Sequence, residues 1–448
     1  MRFLAVALML WALPAWGEGG FARLEGHGGP VKGVAVSADG RHALTASFDY
    51  TVGYWDLDTG QVIRWLDGHE AAVNAVSFLG NGTWALTAGD DFATILWELE
   101  TGAQLARLEG HKGKILDVTV SADGRWAATS GWDGWVGIWS LDTRENARWL
   151  KGHKGNVNDT VFSDDGTRLY TASYDGTIRL WDVQTGALRQ VIVKHGFGIN
   201  HLALNEEAGW LAYGAVDGAV RAIDLATGRE LADLSADRRP ILALDLSRDG
   251  TKLAVGDGEG YVAVIDTQAW RIERDFHAAV RGPIWAIAWT PDGKRVISGG
   301  LDDAAAIWPV AASDEEVAGL LAAGERSFLR DPGEMTNGER QFARKCSICH
   351  TLTPDGARRA GPSLWGLFGR KAGTVAGYNY SDALDVADIV WEAETINRLF
   401  DEGPDHYTPG SKMPMQRIAK AEDRQDLIEF LAGNTGPRSG PKNGETTQ

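Results

Sequence analysis

Both cysteines of this 448-residue chain lie within five consecutive residues, Cys346-Ser347-Ile348-Cys349-His350. A C-x-x-C-H run is typical of a site that attaches a c-type haem. Each thiol adds to one vinyl group of the haem, and the adjacent histidine is placed to ligate the iron. The motif therefore predicts one covalently bound haem c near the C-terminal end, and the rest of the chain has to position it.

The composition is ordinary for a soluble globular protein with room for two or three domains. Apolar residues make up 44% of the chain and charged residues 23%. The formal net charge of −17 argues against a nucleic-acid partner, because bulk electrostatics would oppose binding to phosphates. We therefore expect redox partner proteins and no nucleic acid. Composition leaves the oligomeric state open.

Residues 1–17 have the pattern of a secretory signal peptide. Arg2 gives the positive start, Phe3 to Leu13 form a short apolar run, and Ala15-Trp16-Gly17 offers small residues at the −3 and −1 positions of a cleavage site. A membrane anchor is the alternative, but the run is shorter than the about 20 residues that a span requires. The sequence thus predicts a periplasmic or otherwise exported protein with no membrane span once the signal is removed. Bacterial proteins acquire c-type haem outside the cytoplasm, which agrees with export.

A repeat of 42 residues dominates the region upstream of the haem motif. The first four units combine a histidine turn, an aspartate turn and a tryptophan, and the later units keep part of this set. Short apolar alternations separated by turn signals predict four strands in each unit. The histidines are His27, His69, His111, His153 and His195. The acidic series is Asp49, Asp91, Asp133, Asp175, Asp217, Glu259 and Asp302, and the apolar series is Trp55, Trp97, Trp139, Trp181, Ile223, Ile265 and Trp308.

A unit of this length with Gly-His and Trp-Asp marks resembles the WD-repeat β-propeller family over residues 21–310. The resemblance implies seven blades in which histidine, aspartate, threonine and tryptophan form one buried hydrogen-bonded chain, so these histidines are interpreted as structural. The lone strand from Phe21 to Leu24 is expected to complete the last blade, which would remove both free edges.

Apolar and aromatic side chains next to the aspartate turns are candidates for a partner surface on one rim of the propeller. The alternative is that they only cover their own blades. The candidates are Phe48, Trp132, Tyr174 and Leu301, together with Trp285 at the start of an innermost strand.

From about Glu334 the spacing of apolar residues becomes helical, and a final helix is predicted from Ala421 to Ala432 with Gly433 as its stop. Several motifs in order resemble a class I cytochrome c of the mitochondrial-like branch. They are Cys346–His350, Gly361–Arg370, Gly377–Leu384, Trp391, Pro409–Met413 and the final helix. The predicted fold is therefore a seven-bladed, all-β propeller followed by an all-α class I cytochrome c fold.

The cytochrome resemblance implies a role for each matching position. Cys346 and Cys349 would carry the thioethers, and His350 would be the proximal ligand with Pro362 accepting a hydrogen bond from its ring. Met413 would be the distal ligand, for which Met415, Met335 and His406 are the alternatives. Tyr380 and Trp391 would bind haem propionates, and Gly338, Phe342 and Leu427 would join the first and last helices. Leu399 stands where the family often has an aromatic hydroxyl.

Basic residues cluster near the haem motif, among them Arg358, Arg359 and Lys371. They are either an ordinary solvated surface or an electrostatic docking face for an acidic partner, and the acidic propeller is one candidate for that partner.

The predicted organisation is a signal peptide at 1–17, the propeller at 18–310, a linker at 311–333, the haem domain at 334–435 and a disordered tail at 436–448.

The sequence favours an electron carrier, rather than an enzyme, in which the propeller recruits a redox partner. A His/Met-ligated iron has no open position for peroxide or oxygen, and no other catalytic constellation stands out. Two alternatives remain: a periplasmic oxidoreductase whose propeller binds a substrate or second cofactor, with the haem as electron exit, and a redox-sensing scaffold.

Overall fold

A computed structural model describes residues 22–80, 82–235, 239–279, 282–313, 315, 317, 335–354, 359–378, 380–413 and 416–436. The predicted signal peptide, most of the predicted linker, nearly all of the tail, Arg358 and Met415 lie outside the described residues. The domain boundaries therefore stay predictions.

Seven four-stranded antiparallel sheets form the N-terminal part of the described chain. The first strand is β1 (Ala22–Glu25), and blade 1 contains β2 (Val31–Val36), β3 (His42–Ser47), β4 (Thr51–Asp56) and β5 (Val62–Asp67). Blade 2 contains β6 (Val73–Leu79), β7 (Trp84–Gly89), β8 (Ala93–Glu98) and β9 (Ala103–Glu109). Blade 3 contains β10 (Ile115–Val120), β11 (Trp126–Gly131), β12 (Trp135–Ser140) and β13 (Glu145–Lys151).

The remaining blades follow the same order. Blade 4 contains β14 (Val157–Phe162), β15 (Arg168–Ser173), β16 (Thr177–Asp182) and β17 (Leu188–Lys194). Blade 5 contains β18 (Ile199–Asn205), β19 (Trp210–Ala215), β20 (Val220–Asp224) and β21 (Glu230–Asp233). Blade 6 contains β22 (Ile241–Leu246), β23 (Lys252–Asp257), β24 (Tyr261–Asp266) and β25 (Arg271–His277). Blade 7 contains β26 (Ile284–Trp289), β27 (Arg295–Gly300), β28 (Ala304–Pro309) and β1.

The two ends of the propeller are joined through β1 and β28, as the lone first strand predicts. Ala22 pairs with Ile307 and Leu24 pairs with Ala305 in antiparallel register. Leu24 is fully buried, so the closing strand contributes to the core as well as to the sheet. The closure pairs strand edges that would otherwise be open to association with other chains.

The repeated polar residues form one hydrogen-bonded chain in each of the first four blades. In blade 1 the His27 Nδ1–H donates to Asp49 Oδ2 at 2.9 Å, and Thr45 Oγ1 lies 2.6 Å from His27 Nε2. The Trp55 indole N–H donates to Thr45 Oγ1 at 2.7 Å. The same contacts recur in blades 2, 3 and 4 through His69, His111 and His153. Because both ring nitrogens are satisfied, these side chains fix the turns of their blades.

Five helices are described in the C-terminal part: α1 (Asn337–Lys345), α2 (Asp382–Asp385), α3 (Ala393–Glu402), α4 (Pro404–Tyr407) and α5 (Ala421–Asn434). Helix α1 packs on α5, and a Cβ on Gly338 would lie 2.1 Å from the Asp426 carbonyl oxygen, so only glycine fits there. The predicted stop at Gly433 is wrong. The helix continues to Asn434 because the Thr435 N–H still donates to the Leu431 carbonyl at 3.0 Å.

Candidate haem site

The helices of the C-terminal part surround a largely apolar pocket with an empty volume of about 1120 Å³, its open mouth included. Both cysteines of the chain reach it, and so do His350 and Met413. Apolar side chains from the loops and from α3 and α5 make up much of the remaining wall. They include Leu364, Leu367, Leu384, Ile396, Leu399, Phe400 and Leu431.

The C-x-x-C-H segment leaves the C-terminal end of helix α1 as a tight turn. The Cys346 N–H closes the helix on the Phe342 carbonyl at 2.8 Å, and the His350 N–H then donates to the Cys346 carbonyl at 2.8 Å. The Gly361 N–H donates to the Cys349 carbonyl at 2.7 Å, which ties the turn to the next loop. Burial raises the pKa of the Cys346 thiol to about 12 and that of the Cys349 thiol to about 11.

His350 has a fixed tautomer and orientation. Its Nδ1–H donates to the Pro362 carbonyl at 2.7 Å, which leaves the lone pair on Nε2. A Cβ on Gly361 would lie 2.3 Å from the ring carbon Cε1, so the adjacent backbone is packed directly against the imidazole. Burial lowers the pKa of His350, with the Pro362 carbonyl opposing that effect. The ring is therefore neutral and ready to coordinate a metal through Nε2.

Met413 lies on a wall formed by the segment after helix α4. Thr408 and Ser411 line the same wall, and their hydroxyl oxygens lie 3.1 Å apart. Leu399, Ile396 and Phe400 of helix α3 face the pocket behind this segment. Two of the alternative ligands are placed elsewhere: His406 has a side chain that is 73% exposed and next to Asp405, and Met335 is not among the lining residues.

Tyr380, Trp391 and Arg370 line one side of the pocket. Tyr380 Oη accepts a hydrogen bond from the Val375 N–H at 3.4 Å. The Trp391 N–H donates to the Arg370 carbonyl at 2.9 Å. The guanidinium of Arg370 donates to the carbonyls of Trp365 and Ser363. The sequence did not assign a role to the neighbouring Tyr378, whose hydroxyl donates to the Ala360 carbonyl.

Comparison with known proteins decides the family. The family profile described as "Cytochrome c" matches residues 335–435. Cytochrome c of Gibberella zeae is 42% identical over 103 residues, which cover 96% of that protein and 23% of this chain. Cytochrome c of Arabidopsis thaliana is 43% identical over 103 residues, covering 91% of it. The chain belongs to the cytochrome c family.

The pocket of this cytochrome domain fits the family's cofactor. It presents two cysteines in the attachment motif, a neutral imidazole with one fixed nitrogen and a thioether, all lining a largely apolar cavity. The chain accordingly carries one covalently bound haem c, as the motif predicts. Within the described residues no other cluster of three or more histidine, cysteine or acidic side chains has the geometry of a metal site.

The WD-repeat assignment is confirmed as well. The profile described as "WD domain, G-beta repeat" matches residues 21–56, 60–98, 102–140, 144–182 and 272–309. Blade 5 and the first three strands of blade 6 fall in the unmatched interval, although their strands form sheets like those of the others. There the tryptophan of the motif is replaced by Ile223 and Ile265, and His195 approaches Asp217 through Nε2 at 3.0 Å instead of Nδ1.

The predicted rim residues divide into two groups. Trp132, Tyr174 and Leu301 are exposed, with 53%, 60% and 43% of their surface accessible. Phe48 and Trp285 are half-buried and pack on each other with ring centroids 5.7 Å apart, and Lys32 Nζ lies 4.8 Å from the centroid of the Trp285 ring. The second group therefore covers neighbouring blades, whereas the first is accessible to a partner.

The basic residues around the haem motif also differ in their surroundings. Arg359 contacts the propeller: its guanidinium donates to the Gly28 carbonyl and lies 3.8 Å from Asp303. Lys371 is exposed and lies 3.1 Å from Asp388.

Among the helices that the structure describes, none has the length and hydropathy needed to cross a membrane.

Proposed function

We propose that this protein is an exported one-electron carrier whose propeller recruits a redox partner. The single observation that carries the proposal is the pocket that His350 and Met413 line together with Cys346 and Cys349. A haem with both axial positions filled exchanges electrons without binding a substrate at the iron. This argues for a carrier over an oxidoreductase that acts on a small ligand.

The residues of the pocket have distinct parts in that function. The bound haem supplies a one-electron couple. The Pro362 carbonyl orients His350 and increases its basicity as a ligand, and Met413 would offer a soft thioether that favours the reduced iron. The apolar walls exclude water and reduce the reorganisation that accompanies the charge change. Fixed ligands and dry walls are the features that rapid electron exchange requires.

A reaction with carbon monoxide and with peroxide tests the carrier function. The reduced wild-type protein is expected not to form a carbonyl adduct at neutral pH, and the oxidised protein is expected not to turn over peroxide, because both iron positions are filled. Stopped-flow absorption spectroscopy measures both reactions. Rapid adduct formation or peroxide turnover would instead support the oxidoreductase.

The exposed rim of blades 3 and 4 is the partner surface in this proposal. Trp132 and Tyr174 lie on adjacent blades, and the neighbouring Phe197 is also exposed, at 58%. Lys114 Nζ lies 5.2 Å from the centroid of the Trp132 ring and also forms an ion pair with Asp90, so a charged pair borders this apolar patch. Exposed aromatic residues with a nearby cation are typical of the central part of a protein interface.

Replacing Trp132 with alanine is expected to slow haem reduction by a periplasmic extract of the host by about tenfold, the loss typical of an interface hot spot. Reduction by a small reagent such as ascorbate and the thermal midpoint are expected to stay unchanged. The matched control is Trp84→Ala, because Trp84 is 42% exposed at the opposite end of its blade. Equal rates for wild type and Trp132→Ala would exclude this patch as the docking site.

Export is supported by the signal-like residues 1–17 and by the attachment motif. In this proposal the mature protein is periplasmic and begins at Glu18. N-terminal sequencing of the purified native protein checks this, and an intact Met1 in a cytoplasmic fraction would contradict it.

A further inference from the structure

The propeller contributes one side chain, Tyr50, to the wall of the haem pocket. Tyr50 lines the pocket together with Cys349, Lys412 and Met413, although about 300 to 360 residues separate it from them in the sequence. Its hydroxyl donates a hydrogen bond to the Lys412 carbonyl at 3.2 Å. Burial raises the pKa of the Tyr50 phenol well above its usual value, so the hydroxyl stays protonated and can donate.

Tyr50 occupies a turn position at which glycine is the less costly residue. Its φ is +70°. The equivalent positions in blades 3 to 6 are all glycines with positive φ, namely Gly134, Gly176, Gly218 and Gly260. The left-handed backbone conformation is energetically unfavourable for a residue that has a Cβ, whereas glycine adopts it without this penalty. The contact with the haem domain gives the side chain of Tyr50 a use at this position. Phe92, which occupies the same turn of blade 2, does not line the pocket.

A second contact fixes the same two surfaces from another side. Arg359 extends from the loop before Gly361 and contacts the Gly28 carbonyl of blade 1 and Asp303 of blade 7. Both side chains of the ion pair are largely buried, at 17% and 8% exposed. Between the Arg359 and Tyr50 contacts lies a polar cleft lined by Asp67 and Tyr378, among others.

We propose that the propeller completes the haem pocket, with Tyr50 as a positioning residue for the segment that carries Met413. The inference rests on the proposed His/Met centre. The hydrogen bond to the carbonyl of Lys412 restrains the residue immediately before Met413. Tyr50 and Cys349 both line the pocket, so the ring would occupy space that water could otherwise enter. Both effects stabilise the state in which Met413 is bound to the iron. They also raise the reduction potential, because a drier site disfavours the extra positive charge of the oxidised centre.

Two variants of the full-length holoprotein separate these effects. Tyr50→Phe removes only the hydroxyl and is expected to accelerate imidazole binding to the oxidised haem about fivefold, the factor that one hydrogen bond of ordinary net strength contributes. Tyr50→Gly also removes the ring. This variant is expected to accelerate imidazole binding further and to lower the reduction potential. Hydrogen exchange of the segment 409–413, followed by mass spectrometry, is expected to become faster in both variants.

The matched control is Phe92→Gly. Phe92 occupies the same turn of blade 2 with φ +63°, is 43% exposed and is not among the residues that line the pocket. Both glycine variants are expected to keep or slightly raise the thermal midpoint of the propeller, but only Tyr50→Gly is expected to change imidazole binding, exchange and potential. Equal changes in both variants would indicate a general effect of the propeller and would overturn the proposal.

The outcomes distinguish this inference from the proposed function. If the oxidised wild type lacks the long-wavelength band of Met–Fe(III) ligation, the His/Met centre itself is wrong. If the band is present and both Tyr50 variants bind imidazole at the wild-type rate, only the role of Tyr50 is overturned. Faster binding in Tyr50→Phe with an unchanged rate in Phe92→Gly supports it.

Discussion

A chain in which Cys346 and Cys349 are both replaced by serine is expected to lose its covalent haem and the fold of its cytochrome domain. A serine hydroxyl does not form the thioether bond, and the apolar walls of the pocket would then surround an enclosed empty space of about 130 Å³. At about 24 cal/mol per Å³ this cavity costs about 3 kcal/mol, and the packing of the walls against the haem is lost as well, whereas the stability of a whole domain is only about 5–15 kcal/mol. The domain is therefore expected to unfold rather than to remain as an empty shell.

Haem staining after denaturing electrophoresis measures the covalent bond, and circular dichroism measures the helices. The propeller has its own core and closure, so its β signal is expected to persist in the double variant. The control is Ser347→Ala in the same turn, which removes only a hydrogen bond from its hydroxyl to the Ala343 carbonyl. Covalent haem in the double-serine variant would show that the attachment site lies elsewhere.

Met413→Ala is expected to produce the largest change in redox properties without loss of the haem. Removing the thioether leaves one axial position of the iron to water or to another side chain. The reduction potential is expected to fall by on the order of 0.1 V or more, because a soft sulfur ligand no longer favours the reduced iron. The long-wavelength band of the oxidised protein is expected to disappear, and the reduced protein is expected to gain carbon monoxide binding.

Spectroelectrochemistry measures the potential and the band together. Met335→Ala is the matched control: this methionine is buried beside the start of helix α1, so its loss is expected to reduce stability by about 2 kcal/mol and to leave the spectrum unchanged. A wild-type spectrum in Met413→Ala would transfer the ligand role to Met415 or His406. The same measurement on Met415→Ala and His406→Ala then decides between them.

Much of the haem site was predictable because its elements are close in the sequence. The thiols and His350 are consecutive within one turn, and Pro362 follows twelve residues later in the motif that packs on the imidazole. The order of the later motifs also led to Met413, Tyr380 and Trp391, all of which line the pocket. Their roles as ligand and as propionate partners stay predictions.

The blades were equally predictable where the motif residues of the repeat are all present, since each blade is a local unit of about 42 residues. His27, Thr45, Asp49 and Trp55 satisfy each other within one blade. Blades 5 and 6 show the limit of that signal: their strands pair normally although Ile223 and Ile265 replace the tryptophans. Alternating apolar residues and neighbouring blades are enough to form those sheets.

The sequence could not show which of the candidate surface residues are accessible to a partner, because the exposure of a side chain depends on the residues that folding places beside it. Phe48 and Trp132 both precede an aspartate turn, yet Phe48 packs on Trp285 and Trp132 is accessible. Arg359 belongs to a basic cluster, but it contacts the propeller instead of being available to an external partner. Tyr50 stands at a turn position that is glycine in four other blades, but so does Phe92, which does not line the pocket, so this pattern does not identify the contact.

The sequence by itself determined the cofactor and the seven-bladed architecture, and it predicts the covalent attachment site, because these depend on residue types at short spacings. Only the tertiary structure decided that the rim of blades 1 and 7 contacts the haem domain and that Tyr50 reaches the pocket beside Met413. That contact joins Tyr50 and Lys412 across more than 300 residues. Such a contact depends on the shape and polarity of two folded surfaces, which no local pattern encodes.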